Sequence, residues 1–265
     1  MPEPATAESA PFTPPAPSPW FATGRTDAWW AGPLVTAAVL LGFITYATWR
    51  GISAAGVPAS TSYLAGELLS PFFSPNVGEW FKLPFWLSPA LIILPFPGGF
   101  RFTCYYYRKA YYRSIWQDPP ACGVGEPRKH YWGERFGPLL FQNLHRYFLY
   151  AAILFLVFLW HDVWLALWPQ GKFGITVGTI VLGLNSALLT FYTLSCHSLR
   201  HLVGGKLDCF SCPAANVGRY KAWSFLTRFN EHHMFWAWTS LFGVAFADFY
   251  VWMVASGVWK NVPLI

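Results

Sequence analysis

Long apolar runs alternate along the chain with shorter polar connections. Five runs reach the length that crosses a roughly 30 Å hydrocarbon core as helix: about Trp29 to Trp49, Trp80 to Phe100, Tyr147 to Trp168, Phe173 to Cys196 and Phe229 to Ser256. None shows the strict alternation of a transmembrane strand, and all are about twice its length. The pattern therefore predicts an all-α integral membrane protein, a bundle of five transmembrane helices. An odd number of crossings sets the termini on opposite sides. Asp27 reads as the N-cap of the first helix, with Trp29, Trp30 and Trp49 marking the two interfaces. That helix has no histidine and is expected to bury no charge. The second run is interrupted by Pro84, Pro89, Pro95 and Pro97 and reads as a broken helix, tolerable where neighbours satisfy the freed backbone.

Composition supports the membrane reading. In 265 residues 54% are hydrophobic, 20% aromatic and only 11% charged. Arg25, eight basic residues from Arg101 to Arg146 and five from Arg200 to Arg228 fall on one side of the predicted topology, against Arg50, Lys82, Lys172 and Lys260 on the other. By the positive-inside rule the N-terminus is cytoplasmic and the C-terminus outside. The net charge of +6 then reflects topology and anionic headgroups, and no nucleic-acid partner is implied. Residues 1–26, rich in Pro and Ala, read as a disordered cytoplasmic tail without a cleavable signal peptide. Residues 27–258 form the anchor domain, with cytoplasmic loops at 101–144 and 198–228.

Candidate chemistry gathers at the cytoplasmic level. Cys196, His197 and His201 close an apolar helix within two turns, and Gly204-Gly205 stops it. Cys104, Cys122, Cys209, Cys212, His145, His232 and His233 lie at the same level. Thiols there stay reduced, so disulfides are not expected, and metal ligation or plain core packing remain. Cys209-Phe-Ser-Cys212 could form part of a small metal knuckle. Two stacked haems need paired histidines at two depths, which the first two helices do not supply. One haem with two His ligands is compatible with the residues, and so is an iron–sulfur centre with two Cys on one iron and two His on the other. The chain has no dinucleotide fingerprint and no ferredoxin-type cysteine run, so any flavin chemistry belongs to other chains. A zinc-binding transporter is the alternative from another class, disfavoured because no inverted repeat is evident.

The runs RFTCYYYRKAYYRSIW, PPACGV, QNLHRY, LSCHSLRHLVGGKL, FNEHHM and FADFYVW resemble the membrane-anchor subunit of actinobacterial-type succinate dehydrogenases over about residues 30 to 257. The resemblance implies an anchor in the bacterial plasma membrane that docks a flavoprotein and an iron–sulfur subunit and passes succinate electrons to menaquinone. Some members of that family carry a membrane-embedded Rieske-type [2Fe-2S] cluster. Carried over by motif, its ligand candidates are Cys104, Cys122, Cys196, His197, His201 and His233. Family members often have a second cysteine where this chain has Leu199. Tyr105, Arg108, His145 and Arg146, at the membrane boundary, are the candidate quinone-binding residues, with His145 the preferred proton donor.

Overall fold

The computed structural model describes residues 19–128, 135–136, 139–205, 207–209, 212 and 214–265. In order, the chain forms α1 (Ala31–Ser53), α2 (Pro95–Phe102), α3 (Tyr105–Tyr111), α4 (His145–Ala166), α5 (Val177–Leu194), α6 (His197–Gly204), α7 (Ala214–Glu231) and α8 (His233–Ala255). Among the described residues four helical stretches are long and apolar enough to cross a membrane: α1, α4 with the 3-10 turns before it, α5 and α8. The only strands described are a two-residue hairpin pairing Leu64 with Leu69.

The second apolar run is not a continuous helix. It breaks into Val77–Trp80, Pro89–Ile93 and α2, because each proline removes an N–H and disfavours helical geometry in the residue before it. The pieces still travel along the bundle: Ser88 Oγ donates to the Gly51 carbonyl at the C-terminal end of α1. Tyr106, farther on, lines a cavity with Val39 nearer the N-terminal end. The segments expected as loops are also more structured than their polarity suggests. Residues 101–144 hold the end of α2, α3 and a π-helical turn at Tyr112–Trp116, and 198–228 hold most of α6 and α7.

Residues 1–18 of the expected tail lie outside the described residues. Residues 19–26 are ordered: Phe21 and Ala22 exchange backbone hydrogen bonds with Gly125, and Thr23 Oγ1 donates to the Gly123 carbonyl at 2.7 Å. Asp27 does not cap α1, which starts at Ala31 without a side-chain cap. It pairs instead with Arg25.

Helix α5 packs between α4 and α8, and α2 lies against α4. A Cβ at Gly99 would overlap the ring of Phe148, so glycine is what lets α2 approach α4. The core holds Phe100, Leu149, Tyr192, Ala237 and Leu241. Leu34, Leu41, Ile44, Leu154, Leu184 and Phe246 point outward and are exposed, an apolar exterior that lipid covers.

At the other end of the bundle, Arg50 of α1 and Asp248 of α8 are 1% and 0% exposed. This corrects the expectation that α1 buries no charge. Arg50 Nε donates to Asp248 Oδ2 at 2.8 Å, its Nη2 donates to the Ser62 carbonyl at 3.0 Å, and Tyr46 and Ser70 hydroxyls donate to the two carboxylate oxygens at 2.6 and 2.5 Å. Every strong acceptor of the carboxylate is engaged, which is the condition for keeping a charge pair out of water. Replacing Asp248 with Ala strands the guanidinium, and the expected loss is about 3–5 kcal/mol, read as a drop in the unfolding temperature of the detergent-purified protein. A double R50M/D248L variant should recover most of the loss; if it is no more stable than D248A, a stranded guanidinium is not the cause of the loss.

Candidate metal centre

Two helices break at the same kind of sequence. α2 ends at Phe102 and α3 starts at Tyr105, with Cys104 between them at φ −65°, ψ 129°. α5 ends at Leu194 and α6 starts at His197, with Cys196 at φ −66°, ψ 130°. The element read as one closing helix is thus two helices with the cysteine at the joint. In each case the Cys carbonyl accepts the first bond of the new helix, from the N–H of Arg108 at 2.8 Å or Arg200 at 3.1 Å. Both thiols are buried.

Each thiol faces an imidazole from another helix. Cys104 Sγ lies 3.2 Å from His233 Nε2 at the start of α8, and Cys196 Sγ lies 3.1 Å from His145 Nε2 at the start of α4. The second ring nitrogen of each histidine crosses to the opposite break. His145 Nδ1 is 2.9 Å from Thr103 Oγ1, beside Cys104, and His233 Nδ1 is 2.6 Å from Ser195 Oγ, beside Cys196.

The hydroxyls decide the tautomer. Thr103 Oγ1 donates its proton to the Gly99 carbonyl at 2.7 Å, and Ser195 Oγ donates to the Tyr192 carbonyl at 2.7 Å. A hydroxyl has one proton to give; placed on these carbonyls, it leaves each hydroxyl to accept from its histidine. In that arrangement both rings carry their proton on Nδ1, and each Nε2 lone pair points at sulfur. This is the arrangement by which outer hydrogen bonds prepare histidine as a metal ligand. Burial pushes the Cys196 thiol up to about 11 and raises that of Cys104 as well. Arg101 adds a nearby cation, bonded to Tyr107 at 2.7 Å and lying 4.7 Å over the Tyr192 ring.

The ten candidate residues separate into several places. Cys104 is paired with His233 and Cys196 with His145, all four in the bundle interior. His197 stands at the exposed edge, its ring 6.2 Å from that of His233. His201 is exposed and bonded through Nδ1 to Arg146 at 3.0 Å. Cys122 is exposed on the loop that meets Arg25, whose Nη1 donates to the Cys122 carbonyl at 2.9 Å. Tyr105 is 71% exposed, with Arg108 stacked over it and over Tyr112. Among the described residues no group of three or more His, Cys, Asp or Glu side chains converges on a single metal ion; the donors stand as two Cys–His pairs. Cys209 and Cys212, expected as reduced thiols, are joined in a disulfide, their Cα atoms 5.7 Å apart, within the span such a bond requires. Thr103 and Ser195 were not read from sequence as functional. Their signal is a short repeat, Thr103-Cys-Tyr-Tyr-Tyr-Arg108 against Ser195-Cys-His-Ser-Leu-Arg200.

The family model of the actinobacterial succinate dehydrogenase subunit SdhC matches residues 31–257. The chain belongs to this family. A chain of the Mycobacterium smegmatis Sdh1 complex in the apo form is 41% identical, with a TM-score of 0.82 over 92% of this chain and 94% of that one. No curated protein matches. The chain is accordingly an SdhC-type membrane subunit of succinate dehydrogenase, with helices able to span the bacterial plasma membrane.

Thiol chemistry checks the burial of this SdhC-family site. With a pKa near 11, about one Cys196 in a thousand is thiolate at pH 8, and the fraction rises tenfold per pH unit until pH 11. Iodoacetamide should therefore label Cys122 in the folded, metal-free protein while sparing Cys104 and Cys196 until denaturant is added. Rapid labelling of Cys196 under native conditions would contradict the enclosed geometry.

Proposed function

We propose that the chain is the anchor and electron-transfer subunit of a succinate:menaquinone oxidoreductase, oriented with its N-terminus in the cytoplasm and docking a flavoprotein and an iron–sulfur subunit there. The observation that carries the electron-transfer part is the donor set of two buried thiols and two imidazoles with their Nε2 atoms presented. A Rieske-type [2Fe-2S] cluster requires those four donors, two thiolates on one iron and two imidazoles on the other. Cys104, Cys196, His145 and His233 fit it in number, type and tautomer, and loading would replace both Cys–His hydrogen bonds.

When bound, such a cluster supplies one-electron transfer at a potential raised by its histidines. The chain's own contribution is to hold four ligands on four different helix ends and to bury them away from water. Thr103 and Ser195 keep both imidazoles in the ligating tautomer, and Arg101 adds positive charge alongside. A b-type haem uses two imidazoles and leaves both thiols without a role, so the cluster is the better account. His145 then serves as a ligand rather than as the quinone's proton donor, and His197, His201 and Cys122 stand outside the first set.

The test is made on the purified complex. Cys196→Ser and His145→Ala should each remove about two irons per complex together with the EPR signal of a reduced two-iron centre, while the partner subunits remain attached. A complex that keeps its iron and its spectrum in both variants, or shows a stoichiometric b-type haem band, would sink the cluster assignment. Thr103→Val and Ser195→Ala should retain the iron and shift the midpoint potential of the same signal; no shift in either would mean that the hydroxyls serve only the backbone.

A further inference from the structure

A cavity of about 470 Å³ lies at the end of the bundle opposite the Cys–His pairs, where the hairpin at Leu64–Leu69 and the segment from Pro75 to Trp80 meet the last turns of α4. It is about 25 Å along α4 from His145. Val157 and Leu165 give it aliphatic walls, and Trp80 closes one side, its ring centroid 6.0 Å from that of Phe158.

One group in this cavity has no counterpart. Asp162 is 7% exposed, and its Oδ2, shut off from solvent, has no hydrogen-bond partner among the described residues. Its Oδ1 lies 3.9 Å from His161 Nδ1, too far for a hydrogen bond. The Ser74 hydroxyl stands beside the carboxyl without closing a hydrogen bond, and a hydroxyl in any case brings no counter-charge. Asp248 at the same end is the contrast, since its carboxylate has Arg50 and two hydroxyls. A carboxylate held away from water without a cation carries a large penalty, so the position calls for positive charge from elsewhere. Among the described residues no Lys or Arg lines the cavity, whereas Glu67 and Glu79 add two more carboxylates at its rim.

The surroundings define the cation. Among the described residues no three His, Cys, Asp or Glu side chains stand close enough to share a metal ion, and aromatic and aliphatic walls suit an organic cation. Asn76 Nδ2 donates to Glu79 Oε1 at 2.7 Å, which orients the amide and leaves Asn76 Oδ1 as a second buried acceptor without a partner. Two unfilled acceptors require N–H donors, which a quaternary ammonium lacks. We infer that this cavity binds a primary ammonium group on an apolar body. The ammonium donates to Asp162 Oδ2 and Asn76 Oδ1, Glu67 and Glu79 hold its charge from the rim, and the carbon chain lies against Trp80 and Phe158. Two sources share that chemistry, the headgroup of an ethanolamine phospholipid and a soluble alkylamine. The inference is independent of the electron-transfer reading.

The experiment uses the intact complex, purified in detergent and irradiated with a diazirine-bearing alkylamine. Labelling should saturate, fall within residues 64–80 and 157–165, and be displaced by hexylammonium but not by hexanol. Asp162→Asn should weaken the apparent affinity about tenfold or more, the loss of a buried charge-assisted hydrogen bond, and Glu79→Gln about two- to threefold, as suits an exposed charge. Without amine, Asp162→Asn should unfold at the same temperature as the unaltered complex or higher, because an amide needs no counter-charge. If that variant does not fold, Val157→Phe, which fills the cavity and touches no charge, should abolish labelling in its place. Nanodiscs separate the sources. Protection by phosphatidylethanolamine but not by phosphatidylglycerol, with about one ethanolamine lipid per chain lost on Asp162→Asn, identifies the lipid; protection by hexylammonium alone identifies the soluble amine. Equal labelling by the amine and by the matching alcohol overturns the inference. So does unchanged labelling in both Asp162→Asn and Val157→Phe, or the absence of saturable labelling, which would mean that the Asp162 carboxyl simply keeps its proton.

Discussion

Breaking a helix inside an apolar bundle frees backbone groups that water cannot reach, and the structure depends on how two such breaks are satisfied. At Thr103-Cys104 and Ser195-Cys196 the hydroxyl returns to a carbonyl of its own helix, and the Cys carbonyl starts the next helix. With the hydroxyl protons on those carbonyls, neither hydroxyl has a second proton to give. That commitment turns each into an acceptor for a histidine of another helix. Closing the breaks and presenting Nε2 to the thiols are therefore one arrangement, and four helix ends converge because of it.

The opposite end of the bundle is held by different means. Arg50 and Asp248 gather Tyr46, Ser62 and Ser70, tying α1 and α8 to the connection between α1 and α2. A charge pair at that position adds orientation more than net stability, since its Coulomb attraction is offset by desolvation. What it joins is α1, α8 and the connection that follows α1. The stacked pair Tyr63 and Phe73, centroids 4.1 Å apart, and the cation over Trp252 at 5.0 Å brace the same junction.

Hydrophobic run length made the membrane class legible, and four of the five runs became continuous helices because nothing in them opposes helical geometry. The prolines of the second run were visible too, but whether they kink a helix or divide it depends on neighbours such as Gly51 and Phe148. Arg50 reads from sequence as an outer-side charge because a single basic residue near a helix end usually reaches for water; the fold buries it against Asp248. The histidines of the site were in view from the start, yet sequence proximity favoured His197 and His201, which share a helix with Cys196. The contact partner is His145, 51 residues away, since the cysteine sits at a break and its side chain points back into the bundle rather than along α6. Thr103 and Ser195 look like ordinary helix-end residues until the repeated Thr/Ser-Cys-x-x-x-Arg pattern is seen to mark both helix breaks.

Helix α3 divides the Cys–His pairs from the cavity beside them. Its N-terminal joint carries Cys104, and Tyr107 and Tyr111, three and seven residues on, are buried with it in the core. Tyr106, Lys109, Ala110 and Arg113, spaced three, four and seven residues from Tyr106, line the cavity instead. With 3.6 residues per turn these sets fall on adjacent faces, so one short helix turns Cys104 toward the Cys–His pairs and its cations toward the cavity. The π-helical turn that follows has a wider cross-section than an α-helical turn. It carries Ser114 to the wall of the cavity while Trp116 packs onto Tyr111 and Tyr112. An exchange of residues on either face is thus free to alter one site while leaving the other in place.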